Sequence, residues 1–196
     1  MTTRTAAPTP FAAITFGPRK PLLTAAVFLV TLAGGIAQLV HRPLYDHVVR
    51  DAARINDGQW YRLLTGMFFQ DGWAAGLVSN LILLAVVGTV AERVLGRWRW
   101  LVLYFGCGWL GQLISYAWLN PVGAGNSMCV AALIGGLAMT VLLAQRYGVT
   151  LPLPLRITAF LVPALAIADT AVQDNHGLPC LLAMGLTHLI APTPEA

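Results

Sequence analysis

The stretch Asn120-Pro-Val-Gly-Ala-Gly-Asn-Ser-Met-Cys-Val-Ala-Ala-Leu-Ile-Gly135 turns on glycine, then runs apolar, and leaves one hydroxyl, Ser127, at the junction. Gly123 and Gly125 give the approach turn a permissive backbone. The helix that follows turns unpaired N–H groups and the positive end of its dipole toward whatever sits there, so a developing oxyanion would be stabilised at this point. On this stretch alone Ser127 is either an N-cap or a nucleophile. A serine hydroxyl is a poor nucleophile at neutral pH and needs a base, a task that suits histidine with its pKa of about 6.5. His176, in Asp174-Asn-His-Gly177, opens the last apolar run as Ser127 opens an earlier one. His188 lies at the far end of that last run, and His41 and His47 fall in a long loop, where they read as interfacial polar residues. Cys129, two residues past Ser127, projects to roughly the opposite helix face. One further polar group is out of place, the Asn80 amide inside an apolar run. Unpaired, it would cost several kcal/mol in an apolar medium, so it is either interhelical glue or part of a site.

The elements that must hold these groups belong to a membrane. The chain of 196 residues is 57% apolar and only 10% charged, whereas soluble domains carry about a quarter charged residues. Apolar runs at 22–40, 74–91, 98–118, 127–144, 157–172 and 177–191 compare with the ~20 residues that a bilayer core requires. They predict an all-α membrane protein of six transmembrane helices, occupying 21–191. A disordered cytoplasmic tail is expected at 1–20 and a short C-terminal tail at 192–196. A cytoplasmic N-terminus leaves only Arg42, Arg50, Arg54 and Arg62 outside, four of the twelve basic residues, and the positive-inside rule selects that orientation. The net charge of +4 therefore reports topology, and nucleic-acid binding is excluded. Cys107, Cys129 and Cys180 lie within spans and form no C-x-x-C pair, so they read as small hydrophobes. No cleavable signal is expected, since the first apolar run is too long for one.

With this orientation the fourth and sixth helices both run from outside to inside, which puts Ser127 and His176 at similar depth. Ala131, Gly135 and Ala138 lie below the serine at helical spacing, and Cys180 and Ala183 below the histidine. Two such faces of small residues can pack closely enough for imidazole to reach hydroxyl. The loop 41–72 is long enough to carry short helices of its own, with Trp60 and Tyr61 at headgroup level. Ser79 can bond back to its own helix. Glu92, in the turn after the second helix, is expected to pair with a nearby arginine. Gly106, Gly108 and Gly111 offer the third helix for close packing, and the fifth helix, with Pro163, reads as scaffold or a movable wall.

Several motifs together resemble the rhomboid family of intramembrane serine proteases over roughly residues 58–186. Gly58-Gln-Trp-Tyr-Arg-Leu-Leu-Thr65 is similar to the family's first-loop segment and Ala91-Glu-Arg-Val-Leu-Gly96 to its turn after the second helix. Gly125-Asn-Ser-Met128 with Gly135 is similar to its nucleophile turn, and Asn175-His-Gly177 falls where the family keeps its histidine. The resemblance implies a Ser127/His176 dyad with no carboxylate required. It also implies Asn80 as an oxyanion donor beside the Ser127 N–H, no metal or organic cofactor, and a transmembrane protein substrate in the lipid bilayer of the cell membrane.

Three positions depart from the family pattern. Gly76 stands where an oxyanion-hole histidine is usual, and loss of such a donor costs ~10²- to 10³-fold in rate; a histidine restored there is expected to project beside Asn80. Met128 replaces a glycine and is expected to narrow the pocket. Ala131 replaces an aromatic that stacks on the histidine. These departures leave a second reading, a catalytically silent rhomboid-like protein that binds transmembrane clients.

Reporter fusions test the orientation. Fusions at both termini are expected to report cytoplasm, and an external Ala196 would move the site to the inner face.

Overall fold

The computed structural model describes residues 20–190; the expected tails, save for Lys20, lie outside them. Helix α1 (Leu22–Val40) leads into a loop that carries α2 (Pro43–Val48), α3 (Ala52–Asn56) and α4 (Arg62–Thr65). Then come α5 (Trp73–Leu95), α6 (97–119), α7 (Ser127–Arg146), α8 (Leu153–Ala171) and α9 (Gly177–Ile190). Helices α1, α5, α7 and α8 are long and apolar enough to cross a membrane. Helix α9 has only 14 residues, and α6 carries Tyr104, Gln112, Ser115 and Tyr116 among its apolar residues. The described residues are mostly helical, as the all-α expectation has it, with one short extended pair besides. Strand β1 (Arg50–Asp51) pairs antiparallel with β2 (Val122–Gly123), Arg50 opposite Gly123 and Asp51 opposite Val122. The pair forms because both loops are extended where they pass, and it ties the first loop to the turn that precedes Ser127.

Helix α5 runs past its expected end at 91 because Glu92 has buried partners and need not leave the helix. Its carboxylate accepts the backbone N–H of Leu23 at 3.1 Å and of Thr24 at 2.8 Å, and the Thr24 hydroxyl at 2.9 Å. These are donors that the first turn of α1 cannot pair internally, and the negative charge favours the positive end of the α1 dipole. Arg97 completes the expected ion pair at 3.6 Å. The chain turns only at Gly96, whose φ of +80° is open to glycine without strain. Helix α8 starts at Leu153, ahead of 157, since a proline in the first turn loses no internal hydrogen bond.

Helix α7 is the centre of the bundle: 61% of its apolar stretch is buried, against 11% for that of α8. Glycines let its neighbours in. A Cβ on Gly135 would lie 2.2 Å from the Cys180 carbonyl oxygen, one on Gly136 2.4 Å from Leu103 Cδ1, and one on Gly108 2.5 Å from Cys129 Sγ. Gly111 is closed in the same way by Pro179 at 2.5 Å. Gly106 is not a packing position: nothing but Val102, at 4.0 Å, comes near it, because it lies off the faces that meet α7 and α9. All three cysteines are free and buried.

Overpacking a tight helix contact costs about 1–3 kcal/mol. Gly135→Ala should therefore lower the melting temperature by roughly 2–10 °C, while Gly106→Ala, in open space, should hold or raise it. Thermal unfolding in detergent checks both.

Candidate active site

Ser127 is the first residue of α7, after Asn126, and no side chain caps this helix. The capping reading of Ser127 therefore fails. Its Oγ instead lies 2.8 Å from His176 Nε2. His176 sits just before α9 and is held twice by Asp174, whose Oδ1 accepts its backbone N–H at 3.1 Å and also contacts the ring at Nδ1. A carboxylate at Nδ1 favours the tautomer with its proton there, which leaves Nε2 free to accept from the serine hydroxyl. Burial raises the Asp174 pKa, but the ring and backbone N–H groups of the loop outweigh it, and the carboxyl lies below its ordinary value. The start of α9 is fixed to α8 as well, because Gly177 N–H donates to Asp169 Oδ2 at 2.6 Å. Asp169, Asp174 and His176 present possible metal-ligand atoms within 4.8 Å of one another, yet Ser127, Gly177 and the Asp174–His176 contact already engage all three.

Asp174 is the residue that sequence reasoning passed over. Its signal was an aspartate two positions before the histidine, the spacing at which an Asx turn closes on a backbone N–H. The missing ring stack at Ala131 has a counterpart here, since Asp174 holds the imidazole by its edge. Beside Ala131 a cavity of about 200 Å³ opens, lined by Ile134, Val162, Leu165, Ala166, Cys180 and the histidine itself.

On the other side of Ser127 stand two amides. Asn80 Nδ2 donates to Gln70 Oε1 at 2.5 Å, so Asn80 is bonded to the first loop and does not serve as glue between helices. Gly125, with φ +148°, brings the groups together: the position a Cβ would take there is 3.5 Å from Asn80 Nδ2, 3.5 Å from Ser127 Oγ and 3.6 Å from Gln70 Oε1. Its backbone is held by Gly125 N–H donating to Gly66 O at 2.8 Å.

Two expectations about the departures are overturned. A histidine cannot be seated at position 76, because a Cβ there would lie 1.7 Å from the Asp71 carbonyl oxygen. The chain folds back over Gly76 at the left-handed Gly72, and spacing along a helix does not reveal that. Met128 does not narrow the space above Ser127. It is buried against α6, its sulfur 3.6 Å from the Ser115 hydroxyl. Ser79 bonds back to Gly76 O as expected.

A mostly helical, multi-pass fold with a serine and a histidine in contact at two helix starts defines a class, and the comparison agrees. The rhomboid domain family matches residues 57–177, more than half of the chain, and the chain belongs to that family. Over 110 residues, 56% of its length, it is 31% identical to the Rhomboid protease GluP of Bacillus subtilis (strain 168). It covers about a fifth of that relative's own length.

The depressed Asp174 pKa has a signed consequence. Its contact with His176 contributes stability above the unfolded aspartate pKa of about 3.9 and loses it as pH falls through the lower folded value. Wild type should therefore melt above Asp174→Asn at neutral pH, and the gap should close as pH is taken below about 4.

Proposed function

We propose that the chain is an intramembrane serine peptidase. Ser127 Oγ attacks the carbonyl carbon of a peptide bond in a transmembrane substrate, and its proton passes to His176 Nε2. Asn80 Nδ2 and the Ser127 N–H hold the oxyanion. His176 then protonates the departing amine. Water, deprotonated by the same imidazole, hydrolyses the acyl ester and returns the proton to Ser127.

The observation that carries this reading is the 2.8 Å contact between Ser127 Oγ and His176 Nε2, on residues 49 apart in the chain. Asp174 supports it by orienting the ring. In this reading α6 and α9 cross the membrane with the four longer spans, both termini are cytoplasmic, and the site opens toward the outer face of the cell membrane. The substrate presents helix-destabilising residues near that face, because a carbonyl locked in a helix is hard to attack.

One observation favours the second reading, a silent family member that binds transmembrane clients: the Asp71 carbonyl closes position 76 to any side chain. A serine-directed fluorophosphonate probe separates the two. Under the peptidase reading wild type is labelled, Ser127→Ala is not, and His176→Ala is labelled ~10²- to 10⁴-fold more slowly. A folded wild type that takes no label supports the silent reading.

A further inference from the structure

Gln70 is a buried polar residue near Ser127 with no part in the proposed mechanism. It is 1% exposed, and its backbone is clamped by the buried Gln38 of α1. Gln38 Nε2 donates to Gln70 O at 2.7 Å, and Gln70 N–H donates to Gln38 Oε1 at 3.0 Å. The clamp uses only the main chain of Gln70, so its side chain is free for another task. Oε1 accepts from Asn80 Nδ2, but Nε2 is buried and has no hydrogen-bond partner among the described residues. Native structures rarely leave a buried donor unpaired, and such a group in a site calls for a partner that arrives with the reaction. This donor belongs to the amide whose oxygen lies 3.6 Å from the point on Gly125 that Ser127 Oγ and Asn80 Nδ2 approach to 3.5 Å.

Resting on the Ser127 peptidase reading, we propose that Gln70 is a catalytic residue, its Nε2 donating to the oxyanion beside Asn80. The position answers the gap at Gly76. No side chain fits there, so a donor to this space must come from another element, and the first loop supplies one from residue 70. The Gln70 oxygen also fixes the Asn80 amide with its nitrogen facing the site. An amide keeps its donor at every physiological pH, whereas an imidazole in that place would add a titrating group.

The test compares wild type with Gln70→Met, which keeps the length and apolar volume without a donor, and Gln70→Glu, which replaces the donor with negative charge. The readouts are phosphonylation of Ser127 and steady-state cleavage of a reporter transmembrane substrate. The donor role predicts that kcat falls about 10²-fold in both variants with KM within about threefold, the pattern of an interaction made in the transition state. Because the backbone clamp survives, Gln70→Met should melt near wild type. A role limited to holding Asn80 is read from the cycle with Asn80→Ala. Two separate donors give a double variant clearly slower than either single one, while a double variant no slower than Asn80→Ala overturns the donor role. Unchanged kcat in Gln70→Met overturns it too. Wild type that takes no label at Ser127 sinks the peptidase reading itself, whereas labelled wild type with unaffected Gln70 variants sinks only this assignment.

Discussion

Where a side chain on Gly135 would stand, the Cys180 carbonyl oxygen already stands, 2.2 Å from the missing Cβ. Backbone-to-backbone contact of α7 and α9 sets the separation of the two helices, and it lies below both of the residues that meet at their starts. In a bilayer the lipid tails are as apolar as the side chains, so helices associate through packing and hydrogen bonds and small residues decide how near they come. Gly111 against Pro179 and Gly136 against Leu103 hold the same pair of helices from the side of α6. The Ser127–His176 distance thus depends on residues with no chemistry of their own.

The first loop is built into this arrangement and forms part of the site. Arg50, 1% exposed, donates to the Asn120 carbonyl at 3.1 Å and to Gln112 of α6, and its burial lowers its pKa to about 10. Asp71 accepts the Ala124 N–H at 2.9 Å and the Tyr45 hydroxyl. Arg62 donates to the carbonyls of Asp46 and Val49, each at 2.9 Å. Such charged and amide groups are costly to bury unpaired. Their partners lie before and within the glycine turn as well as in the loop itself, so loop and turn hold each other in register. Gly125 gains its position from this scaffold, and through Gly125 the space around Ser127 gains its shape.

What could be read from the sequence was what repeats or is out of place. Apolar runs announced the helices, and a hydroxyl and an imidazole at matched depth announced the pair that the structure brings together. Glu92 was legible as an ion-pair partner, but its second task, closing the start of α1 nearly seventy residues away, leaves no local signature. Gln70 was illegible for a related reason. Its neighbours Gln38, Asn80 and Gly125 come from three separate stretches, and a glutamine in a loop is unremarkable until they converge. The errors at Gly76, Met128 and Gly106 each concern the space in front of a residue. Helical spacing says which face a residue is on but not what occupies the space in front of it, and at Gly76 that occupant is main chain.

Helix α8 has little of its surface covered by the rest of the bundle, with 11% of its apolar stretch buried, yet it grips the start of α9. Asp169 holds the Gly177 N–H, and a Cβ on Gly177 would lie 2.1 Å from the Ala166 carbonyl oxygen. The residue before Gly177 is His176. The least anchored of the long helices is therefore the one that braces the proposed base, so the position of His176 depends on a helix that itself has few packing partners.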